Sequence, residues 1–189
     1  MRRLWALQLT HISLSLCPIA RFFGFTAATV SYWMMGFQED AEKFFIFAAI
    51  MICVTDVGMA LLNLVGSVSR TVEQANILVT VILLVFMLFN GFFANTQNVG
   101  PWFSWIRYIN FIFYGTRAAT INEFGGLEFE CTEEEAETMG CTLTGEQFLT
   151  RLGFKKNTIL LDCIIMIVMA FVFRCGTYVA LKTLYWKKH

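Results

Sequence analysis

Apolar positions along this chain gather into three long runs and one diluted run. Phe44–Val65 (FFIFAAIMICVTDVGMALLNLV), Ala75–Phe93 (ANILVTVILLVFMLFNGFF) and Thr158–Leu181 (TILLDCIIMIVMAFVFRCGTYVAL) each approach or exceed the ~20 residues that a helix needs to cross a hydrocarbon core about 30 Å thick. Ile12–Met35 is interrupted by Pro18, Arg21 and Gly24 but is apolar again from Thr26. The pattern therefore predicts four spans, 12–35, 44–65, 75–93 and 158–181, with residues 1–11 unassigned. Met1–Leu16 has no clean apolar core followed by a small-residue cleavage site, so the N-terminus does not read as a signal peptide.

A fifth apolar stretch has a different periodicity. In "PWFSWIRYINFIFYGTRAATINEF" a helix over Trp102–Ile121 gathers Ser104, Arg107, Asn110, Tyr114 and Arg117 on one face and puts Trp102, Trp105, Ile109, Phe113 and Ala118 mostly opposite. Two arginines at mid-membrane would cost roughly 2.5 kcal/mol or more each, whereas at the interface their heads reach water and the tryptophans sit in the aromatic belt. This predicts a helix that dips into the membrane or lies flat on it. A fifth span with snorkelling arginines is the alternative.

Composition names the solvent. With 57% hydrophobic and 15% charged residues and a mean hydropathy of +0.62, the chain would expose large greasy patches in water. The fold class that follows is an all-α, polytopic transmembrane domain. The net charge of zero conceals a division, since eight of the fourteen acids lie between Glu123 and Glu146 while the chain ends Lys187-Lys188-His189. Setting Arg2, Arg3, Arg70, Lys182, Lys187 and Lys188 in the cytoplasm satisfies the positive-inside tendency and leaves the loop 94–157 extracellular. No G-x-x-x-x-G-K-[ST] loop or dinucleotide glycine pattern occurs. The two histidines, His11 and His189, cannot organise a metal or acid–base centre. The chain is expected to hydrolyse nothing, to hold no cofactor or metal of its own and to bind no nucleic acid.

"SYWMMGF", "NGFF", "PWFSWIRYINFIFYGTRAATINEF" and "CTLTGEQFL" resemble, in order and spacing, the membrane domain of G-subfamily (White-type) ABC half-transporters, over roughly Leu14 to His189. The resemblance implies spans three to six of such a domain, in the plasma membrane, working as a homodimer or heterodimer with another half-transporter on lipid-like or amphipathic small molecules. ATP and Mg²⁺ would belong to a nucleotide-binding domain that family members place ahead of the spans, so the sequence is expected to be a truncated chain or incomplete gene model. Two other readings stay open: a non-functional fragment, and a non-transporting tetraspan organiser, against which the absence of a Cys-Cys-Gly triplet counts.

By the same resemblance Phe92 and Phe93 match the bulky pair that plugs the two-fold pore, and Leu84, Met87 and Asn90 turn toward the substrate cavity. Simple packing against neighbouring helices is the alternative for all five. Independently of the family, Cys53, Asp56, Ala60 and Asn63 form a small and polar stripe on the second run. A mid-membrane carboxylate needs a partner. Arg21 and Asp56 both lie about 18 to 21 Å below the outer surface at 1.5 Å per residue, so they are the expected ion pair, with Arg174 as the substitute.

Cys17, Cys53, Cys163 and Cys175 fall within spans, whereas Cys131 and Cys141 flank "TEEEAETMG" in the outer loop. The resemblance implies that these two are bridged, because relatives bridge the equivalent loop just before "TGEQFL". Such a closure stabilises the loop by roughly 2 to 3 kcal/mol on the chain-entropy estimate. Mass spectrometry of the non-reduced protein should find the two cysteines in one crosslinked peptide pair; free, alkylated thiols on inserted protein would exclude the bridge.

Overall fold

Side-chain caps begin most of the helices. In a computed structural model that describes residues 2–90, 104–127, 144–154 and 158–186, the described helices are α1 (Arg2–Met35), α2 (Ala41–Val68), α3 (Val72–Leu88), α4 (Ser104–Ile109), α5 (Phe111–Phe124), α6 (Gly145–Arg151) and α7 (Ile159–Trp186). Asp40 caps α2 through Glu42 N, Thr71 caps α3 through Gln74 N, and Thr144 caps α6 through Gln147 N. Each oxygen satisfies one of the amides that a first turn leaves without a partner. α1 stops where Gly36 takes φ +65°, a left-handed conformation that needs no Cβ.

α2 is the central post of the bundle. One face carries Phe47 and Ala48 against Ala28 and Tyr32 of α1. Others carry Ile50, Val57, Ala60 and Leu61 into a core shared with α5, with Leu149 of α6 and with Met166 and Ala170 of α7. Small residues set how closely the helices approach. A Cβ on Gly24 of α1 would lie 2.5 Å from Thr55 Oγ1 and 3.2 Å from the Ile52 Cα, and one on Gly115 of α5 would lie 2.5 Å from Val54 Cγ2. Glycine brings α1 and α5 against α2 at distances where a side chain would crowd Thr55 and Val54, as at membrane helix interfaces generally.

α2 and Ile159–Thr183 of α7 are long and apolar enough to cross a membrane, and α3 is a shorter apolar helix. The outward faces agree. Leu160, Ile164, Ile167 and Phe171 of α7 are more than half exposed at helical spacing, a stripe that suits lipid and not water. α1 is continuous from Arg2, through Pro18, to Met35, so the helix begins ahead of the span expected over 12–35. The aromatic stretch differs from the expected helix over 102–121 in its continuity. It is two helices broken at Asn110, and α5 buries Phe113 and Ala118 on one face as fully as Tyr114 on the other. A 14-residue helix is also short of the ~20 residues of a span. α5 enters the bundle rather than lying on it.

Gly115→Val should force Val54 aside and destabilise the bundle by about 1 to 3 kcal/mol, the usual range for overpacking. Adding Val54→Ala should recover much of the loss. Unfolding in mixed micelles measures both, and a Gly115→Val protein as stable as the parent would mean that α5 does not seat against Val54.

Candidate functional site

The centre of the molecule is organised by Arg117, halfway along α5. Its Nε donates to Asp162 Oδ2 at 3.0 Å while Nη2 donates to Asp162 Oδ1, a two-pronged pair that matches the planar guanidinium to the carboxylate. Asp162 is fully buried and stands in the first turn of α7, where the helix dipole favours a negative charge. The Arg117 guanidinium also lies 5.0 Å from the Phe113 ring centre and 5.4 Å from that of Tyr114, and Arg107 of α4 covers the Phe113 ring at 4.4 Å. Burial, followed by the like charge of Arg117, pulls the Arg107 guanidinium down from its ordinary range. Aromatic faces therefore hold two cations together beside a single buried acid.

Asn110 makes the break that allows this. Its Oδ1 accepts from Ile112 N at 3.0 Å and Phe113 N at 3.3 Å, starting α5, and its Nδ2 donates to Phe86 O of α3 at 2.7 Å. One fully buried amide thus caps one helix and ties it to the last turn of another.

The second pair joins α2 to α7. Arg174 Nη2 donates to Asp56 Oδ1 at 2.7 Å, so Asp56 takes the substitute partner, and Arg21 is an exposed residue of α1. Counting depth along the axes missed the direction of the side chains. Helical side chains lean toward their own N-terminus. α1 turns back into α2, so Asp56 and Arg21 lean in opposite directions, whereas α7 runs with α2 and lets Arg174 reach back to Asp56. The Cys53 and Cys163 thiols meet between the same two helices.

A third cluster closes the end where α1 turns into α2. Gln38 N donates to Glu123 Oε1 at 2.9 Å and Gln38 Nε2 to Glu123 O at 2.7 Å. Lys43 Nζ donates to Gln38 Oε1 at 2.7 Å and to Gly125 O at 3.0 Å, and Asn122 Nδ2 donates to Lys43 O at 2.9 Å. Tyr32 OH donates to Gln38 O. Glu123 is therefore a buried member of α5.

The residues assigned to a substrate path divide. Leu84 and Met87 of α3 are more than half exposed, while Asn90 is buried. Phe92, Phe93, Cys131 and Cys141 lie outside the described residues. Among the described residues no three His, Cys, Asp or Glu side chains gather as a metal site. The arrangement holds helices in register.

Comparison with known proteins gives the chain a family. Residues 1–124 match the family described as ABC-2 type transporter. A broad substrate specificity ATP-binding cassette transporter of Mus musculus is 32% identical over 174 residues, which are 85% of this chain and 25% of that protein. ABC transporter G family member 1 of Dictyostelium discoideum is 28% identical over 169 residues, 87% of this chain and 21% of its own length. ABC transporter G family member 2 of the same organism is 30% identical over 190 residues, 89% and 14% respectively. The chain thus spans a quarter or less of the length of these relatives.

Removing one partner of the central pair leaves the other charge buried and alone. Asp162→Leu alone should cost about 3 to 5 kcal/mol, and Arg117→Met with Asp162→Leu should cost distinctly less than the sum of the two single changes. Chemical unfolding of the four proteins of this cycle in micelles measures it, and additive losses would mean that the two charges do not act as a pair.

Proposed function

We propose that this chain, which belongs to the ABC-2 type transporter family and is a membrane domain of the G-subfamily type, carries the transmembrane path of an ATP-driven transporter of lipid-like or amphipathic small molecules. The observation that carries the reading is the asymmetry of α3. Its end is pinned by Asn110 to the buried α5, while Leu84 and Met87 face outward and uncovered. An apolar face held rigidly on one side and open on the other suits a wall of a cavity completed by a second subunit. The relative named for broad substrate specificity supports a wall of this kind, since apolar contacts discriminate weakly between molecules of similar size.

In this reading two half-transporters, alike or different, bring their α3 helices together in the plasma membrane. Leu84 and Met87 line the inner cavity, Asn90 is buried within this chain beside them, and Phe92 and Phe93 close the cavity toward the outside. The loop 94–157 is extracellular and the C-terminus cytoplasmic. α1, α2, α3 and α7 are the four spans; among the described residues α2 and α7 are long and apolar enough to cross a membrane by themselves. ATP and Mg²⁺ are bound by a nucleotide-binding domain, because this sequence has no phosphate-cradling loop. The Arg117–Asp162 and Asp56–Arg174 pairs are the fixed frame against which α3 works.

The test replaces Leu84 and Met87 by alanine in the assembled full-length transporter. Transport of an amphipathic fluorescent substrate should change by about tenfold, the scale of one or two lost apolar contacts in a pocket, while surface expression and dimer assembly persist. Phe92→Ala with Phe93→Ala should likewise alter transport without loss of assembly. Unchanged kinetics in both variants would return these residues to simple packing.

A further inference from the structure

α2 and α3 part below their shared turn and leave a groove of about 750 Å³, walled by Val65 and Val68 of α2 and by Ile77, Leu78 and Ile82 of α3, with Arg70 at the end where the turn closes it. Val68, Ile77 and Leu78 are more than half exposed. We propose that this groove is a binding site for one anionic phospholipid of the leaflet that faces the α2–α3 turn, its acyl chain between the two helices and its phosphate on Arg70.

Length, charge and solvent agree. From Arg70 to Ile82 the lining covers 12 residues of chain, about 18 Å at helical rise, against about 15 Å for half of the hydrocarbon core. An acyl chain whose phosphate sits at Arg70 therefore reaches about the midplane, where the lining ends. Arg70 is exposed and makes no ion pair among the described residues. Glu73, the acid of the same turn, is not among the lining residues, and Gln74 adds a neutral donor beside the arginine. The groove thus has one cationic end and an apolar length between membrane helices, a combination that selects lipid head groups by charge.

The groove is also separate from the proposed transport wall. At 3.6 residues per turn, Leu84 and Met87 point about 120° to 180° round α3 from Leu78 and Ile82, while Ile77, seven residues before Leu84, lies on the side the two share. Loss of lipid here and loss of transport there can therefore be told apart.

The experiment uses the full chain in phosphatidylcholine nanodiscs doped with phosphatidylserine, or in a parallel sample phosphatidylcholine, spin-labelled in the acyl chain. Electron spin resonance reads the immobilised fraction of each probe. At low salt the serine lipid should be favoured about fivefold, the effect of one arginine near the surface, and the preference should fall as salt is raised. Arg70→Gln, a change at an exposed position, should bring the two probes to parity. Leu78→Trp and Ile82→Phe, which fill the groove, should remove the immobilised component for both probes while the circular dichroism stays helical. Equal immobilisation of the two probes by the unaltered chain, a preference that survives Arg70→Gln, or failure to immobilise either probe because protein already fills the groove would each overturn the proposal.

Discussion

A guanidinium surrounded by apolar helices has to find a carboxylate, and the bundle is built around Arg117 finding Asp162. The alternative is an isolated buried charge, which costs more than most of the apolar contacts around it. The pair therefore fixes more than one side chain. It sets the depth of α5 in the bundle, its rotation and its register against the first turn of α7. With α5 held there, Gly115 must lie on Val54 and Asn110 must reach Phe86 O. The position of α3 relative to α2 follows from that last bond as much as from direct contact.

The three polar clusters have different consequences because their surroundings differ. Arg117–Asp162 is shielded on both partners, whereas Asp56–Arg174 leaves a third of the arginine side chain exposed. The first acts as a fixed joint and the second as a weaker tie along the α2–α7 seam, in keeping with the decline of pair strength as water gains access. The Gln38–Glu123–Lys43 cluster uses neutral and charge-assisted bonds at the end of the bundle. There it joins the α1–α2 turn to the far end of α5. α5 is thus held at its start by Asn110, at its middle by Arg117 and at its end by Glu123.

Much of this frame was legible in the sequence, and the misses share a cause. Hydropathy found the long helices because lipid demands long apolar runs, but it set their ends too short, at 44 and 65 for α2 against Ala41–Val68. A helix continues past the hydrocarbon until a cap or a turn stops it, and caps such as Asp40 are polar. α3 shows the same extension at its start, where Thr71 is the cap. The ion pair at Asp56 was expected from an intramembrane acid, and the error lay in choosing a partner by depth without the N-terminal lean of side chains. Asp162 was missed although the reasoning applied to Asp56 covers it equally. Its partner lies 45 residues away in an element of different periodicity, and no local pattern announces such a contact. Asn110 could have been found, since an asparagine inside an aromatic run is a candidate cap. The amphipathic pattern around it concealed the break.

That amphipathic pattern also shows why periodicity alone gives the wrong environment for α5. A polar stripe normally marks a face turned to water. Here Tyr114 and Arg117 turn to aromatic rings and a buried acid, and Glu123 turns to the amide of Gln38. The stripe is polar because the helix is tied to three neighbours by polar bonds, and the opposite face is apolar because it packs on α2, so both faces are interior. A helix too short to span and too polar to lie in lipid can enter a membrane bundle only on those terms. Arg117, Asn110, Asn122 and Glu123 meet partners on α7, α3, α2 and the α1–α2 turn, and Tyr114 meets a carbonyl of α4.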